Sequence, residues 1–150
     1  MEFSFGRPGA VTVVSGEGGG SAVRGTVRFF PFRKGVLVVA DICGLPRDRL
    51  CPDGVFAFHI HEGDSCQGEG FSRTGGHYDP AEQPHPCHAG DLPPLFSNDG
   101  SAFLAVYTRR FTLPEIIGRT VVIHALPDDF RTQPSGAAGE KIACGPIRRV

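Results

Sequence analysis

Glycine and proline recur throughout this chain and leave little room for helices. The sequence contains 21 glycines and 13 prolines, and both residues interrupt the apolar repeat of roughly 3.6 residues that an amphipathic helix needs. The apolar runs between them are short, and most are bounded by turn-forming residues, as is typical of strands. We therefore expect an all-β protein with strands over residues 10–15, 22–32, 35–42, 55–61, 102–108, 119–126 and 142–147.

Two long stretches break this strand pattern. It lapses from residue 62 to 99 and again from 127 to 140, whereas the second and third strands are joined by a hairpin turn at Arg33-Lys34-Gly35. Loops of such length inside a compact domain are usually functional or internally tied down. No domain boundary is visible, so we expect residues 1–150 to form one domain, a β scaffold with two long functional loops.

Charge and hydropathy exclude several classes of partner. The 15 basic and 16 acidic residues leave a net charge of -1 with no long run of either sign, so we expect neither a nucleic-acid nor a membrane-surface partner. The longest apolar segment, residues 36–40, is far shorter than the roughly 20 residues of a membrane helix. The N-terminus does not read as a secretory signal, which predicts a cytoplasmic protein, or an extracytoplasmic one if the chain is already trimmed. The five cysteines point away from the cytoplasm.

Histidines are concentrated in one part of the chain. Five of the six lie between residues 56 and 91, and the sixth, His124, ends a separate apolar run. Side chains alternate along a strand, so His59 and His61 share one face while Phe58 and Ile60 face the core. Two imidazoles placed in this way can chelate one ion, and four imidazoles suit Cu(II). The alternative is a pair of partly exposed histidines on an edge strand.

A second group of potential metal ligands follows in the first long loop. His85, His88 and Asp91 are spaced three residues apart and are preceded by His77. Three imidazoles and one carboxylate match a closed tetrahedral zinc site. The alternative is a polar loop that holds histidines by chance, but a solvated loop has no reason to hold half the histidines of the protein.

These motifs together resemble the copper/zinc superoxide dismutase family, in its bacterial branch. The matching segments occur in the family's order and extend the resemblance from about residue 23 to the C-terminus. They are residues 58–61, 63–66, 75–80, 88–93, 118–124 and 143–145. The resemblance implies a Greek-key β-barrel or sandwich of about eight antiparallel strands, as a monomer or a homodimer.

The resemblance also assigns the metal ligands and the reaction. It implies that copper is bound by His59, His61, His77 and His124, and that zinc is bound by His77, His85, His88 and Asp91. His77 would then bridge the two metals and take part in catalysis. The implied reaction converts two superoxide anions to dioxygen and hydrogen peroxide by alternate reduction and oxidation of the copper, which is the activity of an antioxidant oxidoreductase.

Residues around the metals acquire roles in the same way. The resemblance implies a disulfide between Cys66 and Cys144, and a hydrogen-bonding role for Asp128 toward one copper histidine and one zinc histidine. The alternative role for Asp128 is to cap a loop, as Asp129 could equally do. The resemblance also makes residues 136–139 a glycine-rich approach to the site.

Lys141 stands where the family has an arginine that attracts and orients superoxide. Lysine keeps the positive charge but lacks the planar fork of donors, so we expect weaker orientation of the anion and an activity that is lower but not absent. Arg131 is a second cation in the preceding loop that could compensate.

Three local features depart from the family or stay open. The interval between His85 and His88 is short, so the alternatives to a full zinc site are a copper-only dismutase with an altered zinc loop or the use of Cys87 as a ligand in place of a free thiol. Cys43 and Cys51 flank seven residues and could form a second disulfide. Ala57 replaces a glycine, a change that we expect the strand to tolerate.

Two other functions use the same residues. A non-catalytic copper-binding or storage protein on the same fold would bind the metal without turnover, and Lys141 is the feature that favours it. A single-zinc hydrolase would need an open coordination position and a general base, for which Glu62 beside His61 is the candidate.

Overall fold

The computed structural model describes residues 5–17, 22–47 and 54–150, and it confirms the all-β prediction. Two short helical segments accompany the strands, a 3-10 turn at Glu69–Thr74 and one α-helical turn, α1, at Leu113–Ile116. The strands are β1 Ala10–Gly16, β2 Arg24–Phe32, β3 Gly35–Cys43, β4 Val55–His61, β5 Asp91–Phe96, β6 Ala102–Thr108, β7 Thr120–His124, β8 Lys141–Pro146 and the two-residue β9 Arg148–Arg149.

The strands form one antiparallel sheet that closes almost completely into a barrel. Their order is β5-β4-β7-β8-β1-β2-β3-β6, with β9 paired to β1, and the two end strands β5 and β6 approach each other. β3 and β4 are consecutive in the chain but are not sheet neighbours, and the same is true of β6 and β7. Such crossings are those of a Greek-key barrel, so the predicted architecture is confirmed.

One strand lies inside the stretch that was predicted to be loop. Residues 91–96 form β5, which pairs with β4 through Phe56↔Leu95 and His59↔Asp91. The prediction failed because Pro93 and Pro94 lack the N–H that a ladder needs, so the segment does not read as a strand. β5 is an end strand of the sheet, which is where proline is tolerated. Smaller differences occur at the ends of β2, which begins at 24, and β7, which ends at 124.

β4 lies in the interior of the sheet, between β5 and β7. Its residues Phe56, Phe58 and Ile60 fill the barrel core, while His59 and His61 point outward and are still only 0% and 2% exposed because the long loops cover them. The alternative interpretation of these histidines as exposed edge-strand residues is therefore wrong. The outer face of β4 is the floor of a covered site.

The replacement of glycine by Ala57 fits a local irregularity of β4. The register with β5 shifts between Phe56 and Phe58, and the Ala57 N–H instead donates to Leu126 O at 2.9 Å. Ala57 is fully buried, so its methyl group is accommodated.

In the part of the chain that the structure describes, no helix has the length and apolar character needed to cross a membrane.

Candidate metal centre

The first long loop returns to β4 and places His77 beside the two strand histidines. Tyr78 N donates to Ile60 O at 2.9 Å, and Glu62 N donates to Gly76 O at the same distance. These bonds lay residues 76–78 along the end of β4 like a short additional strand. The His59 and His77 rings consequently lie with their centroids 4.0 Å apart.

Four histidines meet above β4 and β7. One ring nitrogen from each lies within 4.8 Å of the others in the group His59, His61, His77 and His124. Two come from β4, one from the loop and one from the last residue of β7. These are the four residues that the resemblance assigns to copper.

The hydrogen bonds of His61 and His124 show what this group requires. His61 Nδ1 donates to Gly75 O at 2.9 Å and His124 Nδ1 donates to Gly139 O at 3.3 Å. A carbonyl oxygen can only accept, so both protons are on Nδ1 and the Nε2 atoms carry lone pairs. Those two Nε2 atoms face each other at 3.1 Å. Two facing lone pairs repel unless a cation lies against both.

A proton does not satisfy this requirement. Burial lowers the pKa of His61 to about 2 and that of His124 to about 3, because both rings are desolvated in the protein interior. His59 Nδ1 and His77 Nε2 are buried and have no hydrogen-bond partner among the described residues. The four nitrogens therefore fit a metal ion, and an all-imidazole set suits copper.

A second group lies on the other side of His77. His77, His85, His88 and Asp91 again have one ligand atom each within 4.8 Å of the others. His77 Nδ1 is 2.8 Å from one Asp91 carboxylate oxygen, and the Nδ1 atoms of His85 and His88 are 3.1 and 3.3 Å from the other. The 3.1 Å contact of His85 Nδ1 does not have the geometry of a hydrogen bond, so this buried nitrogen has no hydrogen-bond partner among the described residues. Three imidazoles and a carboxylate fit tetrahedral zinc.

Asp91 is ionised in this environment. Burial alone would raise the pKa of its carboxyl group, but the hydrogen bond with His77 and the nearby rings of His85 and His88 outweigh burial and lower the pKa. The carboxylate therefore supplies a negative charge to the second group. His77 presents Nδ1 to this group and its orphaned Nε2 to the first, so one ring is shared by both.

The short turn between His85 and His88 is closed by hydrogen bonds from two backbone N–H groups. Cys87 N donates to Pro84 O at 2.8 Å, and His88 N donates to an Asp91 carboxylate oxygen at 2.9 Å. The two histidines thus reach the same point despite the small interval between them. Cys87 is exposed and does not belong to either group of converging ligands in the described chain.

Arg110 secures this turn from outside, a contribution that sequence analysis missed. Its Nη1 donates to Pro86 O at 2.8 Å and to His88 O at 3.3 Å, with Asp91 O at 3.5 Å. In the sequence Arg110 follows another arginine after β6 and looks like any surface cation. No sequence signal distinguishes it, because its partners are backbone carbonyls of a distant loop.

Asp128 connects the two ligand groups. Its carboxylate accepts from His59 Nε2 at 2.8 Å and from His85 Nε2 at 2.7 Å. Burial would raise the pKa of Asp128, but these two hydrogen bonds and one from Phe130 N lower it. The neighbouring Asp129, which could equally cap the loop, is exposed, and its carboxylate accepts hydrogen bonds from the backbone N–H groups of residues 131 and 132.

Gly136 allows Asp128 to reach both rings. A Cβ atom at this position would lie 2.1 Å from Asp128 Oδ1 and 2.6 Å from His85 Nε2, and the backbone has a φ of +73°. The family resemblance implied a glycine-rich approach at residues 136–139, and Gly139 does line the cavity described next. The close packing of Gly136 against the carboxylate was not foreseen.

A cavity of about 420 Å³ opens onto the first group and contains Lys141. His61, His77 and His124 line it together with Lys141, whose ammonium donates to Thr74 Oγ1 at 2.7 Å and to Gly75 O at 3.1 Å. Burial lowers the pKa of Lys141. Arg131 is not among the described lining residues, which include no other lysine or arginine.

The disulfide between Cys66 and Cys144 is confirmed. It joins the first long loop to β8, with a Cα–Cα distance of 5.8 Å, and packs with Phe71 and Val122. The other suggested pair includes Cys51, which lies outside the described residues, so that pairing stays a prediction.

Glu62, the candidate general base of a zinc hydrolase, is outside both ligand groups, and its carboxylate accepts from Gly76 N at 3.3 Å.

Comparison with known proteins gives one consistent result. The sequence model of the copper/zinc superoxide dismutase family matches residues 23–147. Superoxide dismutase [Cu-Zn] 2 of Aquifex aeolicus is 34% identical over 84% of this chain and 80% of its own length. The enzymes named Superoxide dismutase [Cu-Zn] from Caulobacter vibrioides and Escherichia coli K12 are 33% and 34% identical, over 93% and 92% of this chain and 85% and 86% of their own. By the extent of these matches, this chain belongs to the copper/zinc superoxide dismutase family.

Proposed function

We propose that this chain converts two superoxide anions and two protons to dioxygen and hydrogen peroxide in the cavity above His61, His77 and His124. Membership of the family gives copper and zinc as its cofactors and superoxide as its substrate. The observation that carries the assignment to this cavity is the pair of facing Nε2 atoms of His61 and His124, 3.1 Å apart. We assign copper to that group, completed by His59 and His77.

Copper bound there would supply the one-electron oxidation and reduction of superoxide. The chain's own contribution begins with His77, which lines the cavity and whose Nε2 has no hydrogen-bond partner among the residues that the structure describes. We assign this nitrogen two alternating roles, because its one lone pair can hold either copper or a proton at a given time, and the proton that it holds passes to the peroxide product. Its ring is kept in place from the other side, because Nδ1 lies 2.8 Å from Asp91.

Lys141 supplies the positive charge that draws the anion into the cavity. The imidazoles of His61 and His124 are neutral, so among the described side chains that line the cavity Lys141 is the local cation. A cation close to the reacting atoms raises the local concentration of an anionic substrate. This supports a catalytic role for Lys141.

We assign zinc to His77, His85, His88 and Asp91. The support is a complete set of three nitrogens and one carboxylate on one centre despite the short turn, which favours a full zinc site over a copper-only variant. Zinc has no redox chemistry, so bound there it would hold the ring of His77 in place. Asp128, which contacts His59 and His85, orients one ring of each group.

The experiment is metal analysis combined with pulse-radiolysis measurement of superoxide decay on the copper- and zinc-loaded protein. We expect one copper and one zinc per chain and catalytic decay. His77→Ala should reduce binding of both metals, whereas His59→Ala should reduce copper and spare zinc, because only His77 is shared. Stoichiometric copper without turnover would contradict the enzyme assignment in favour of copper storage, and zinc alone would contradict both copper functions.

A further inference from the structure

The hydroxyl group of Thr74 is in hydrogen-bond contact with the ammonium of Lys141. Thr74 ends the 3-10 turn and is fully buried. Its Oγ1 is 2.7 Å from Lys141 Nζ, which is shorter than the 3.1 Å from Nζ to Gly75 O. Thr74 is not a metal ligand and does not line the cavity, so nothing in the proposed mechanism yet uses it.

The direction of each hydrogen bond here is fixed. Thr74 Oγ1 donates its only proton to Phe71 O at 2.9 Å, so toward Lys141 it acts as an acceptor. The ammonium has three N–H groups. One is directed to Thr74 Oγ1 and one to Gly75 O, which leaves a single N–H for the cavity that Lys141 lines.

The Gly75 carbonyl links this arrangement to the metal centre. It accepts from Lys141 Nζ at 3.1 Å and from His61 Nδ1 at 2.9 Å. A lysine on a flexible stem is a mobile point charge with three rotatable donors, unlike the rigid fork of arginine. Two acceptors on consecutive residues, Thr74 Oγ1 and Gly75 O, restrict that mobility.

We propose that Thr74 is a positioning residue that fixes the Lys141 ammonium, so that its one free N–H points to the bound anion. The inference rests on the proposed function of Lys141 and deepens it. It makes the Thr74 hydroxyl the feature that gives this lysine a defined orientation. Thr74 belongs to neither ligand group and does not line the cavity, so its effect on superoxide passes through Lys141.

The variants that test this role differ only at buried hydroxyls of the same region. Thr74→Val keeps the shape and removes the acceptor, Thr74→Ala removes it with a smaller side chain, and Thr74→Ser restores it. Thr120→Val is the matched control, because Thr120 is also fully buried and its Oγ1 donates to Gly63 O of the same loop at 3.2 Å. Thermal unfolding identifies any variant that does not fold, and either Thr74→Val or Thr74→Ala suffices.

Two measurements other than turnover read out the position of the ammonium. The first is the rate at which acetic anhydride acylates Lys141 in the metal-free protein, followed by peptide mass spectrometry. The second is the affinity of the copper- and zinc-loaded protein for azide, a small anion, followed by the visible absorption of the copper site. Loss of one hydrogen bond to a charged group corresponds to roughly a tenfold change.

We expect Thr74→Val and Thr74→Ala to be acylated faster and to bind azide about tenfold more weakly, with Thr74→Ser and Thr120→Val close to the wild type. The proposal is overturned if the variants without the Thr74 hydroxyl keep wild-type acylation and azide affinity, or if Thr120→Val shows the same losses. Wild-type protein that binds copper and azide but does not turn over superoxide would contradict the proposed function instead. The two failures are therefore distinguishable.

Discussion

At the scale of single residues, the metal centre is organised by groups that hold one nitrogen of a ring and leave the other for a metal. Gly75 O and Gly139 O hold the outer nitrogens of His61 and His124, and Asp128 holds those of His59 and His85. Such partners set the tautomer and the orientation of a ligand. Asp128 is distinctive because one carboxylate serves a ring of each group.

Asp128→Asn should weaken the binding of both metals. An amide has one oxygen and one NH₂ group, so it cannot accept from both rings as the carboxylate does. Loss of such an outer partner typically lowers metal affinity by about 10- to 100-fold. Competition with chelators of known affinity, measured for copper and for zinc separately, tests the expectation. Asp129→Asn, at the adjacent exposed carboxylate, is the control and should leave both affinities unchanged; loss of one metal alone in Asp128→Asn would contradict the shared role.

At the scale of elements, the zinc half of the centre depends on β5 and on the turn that precedes it. Asp91 is the first residue of β5, and its pairing with His59 of β4 places the carboxylate beside the histidines. The short turn with His85 and His88 is then held by Arg110, just beyond β6. The two end strands of the sheet thus meet at the zinc half of the centre.

The sequence predicts this region only in part. The interval and chemistry of His85, His88 and Asp91 are sufficient to propose a zinc site, because the donor types are specific. β5 could not be predicted from strand patterns, since Pro93 and Pro94 remove the pattern while the pairing with β4 still forms. Arg110 and Gly136 could not be predicted either, because their roles depend on which distant backbone or carboxylate they meet after folding.

Arg110→Met should lower the affinity for zinc and spare copper. Methionine keeps the apolar stem but removes the donors to Pro86 O and His88 O, so the turn that carries two zinc ligands loses its outer support. Since a hydrogen bond from a charged donor contributes about 1.5–3 kcal/mol, we expect a reduction of roughly tenfold or more in zinc affinity. Zinc competition titrations measure it. Arg109→Met, one residue earlier, is the control, and equal losses in the two variants would argue against a specific clamp.

At the scale of the whole molecule, a nearly closed barrel carries its chemistry on the outer face. Long loops bury that face, so that the histidine rings are as inaccessible as core residues: His59 is 0% and His61 2% exposed. The Cys66–Cys144 disulfide fixes one loop to β8, and Lys141 begins the same strand. Burial of neutral histidines makes the stability of the metal-free protein dependent on pH.

The metal-free protein should lose stability as the pH falls below about 6.5. Burial lowers the pKa of His61 to about 2 and that of His124 to about 3, from the ordinary histidine value of 6.5. Between those values the unfolded chain binds protons that the folded protein does not, so the free energy of unfolding rises with pH across this window. Each histidine contributes about 1 kcal/mol per pH unit. The lowered pKa values of Asp91 and Asp128 act in the same direction at lower pH.

Urea unfolding of the metal-free protein at several pH values between 7 and 4 measures this dependence. His124→Gln should have a smaller slope, because it removes one of the groups that titrate only in the unfolded state. A free energy of unfolding that stays constant from pH 7 to 5 would contradict the expectation. The disulfide is kept oxidised throughout, so that the chain connectivity does not change with pH.

The two ligand groups also differ in how far apart their members lie along the chain. The zinc group lies entirely between residues 77 and 91, whereas the copper group needs residues from 59 to 124. Contacts between residues close in sequence form with a smaller loss of chain entropy than distant ones. The zinc ligands need β5 paired with β4 but no residue of β7, whereas the copper ligands meet only after β7 has also joined β4. We therefore expect a partly folded chain to be able to bind zinc before it can bind copper.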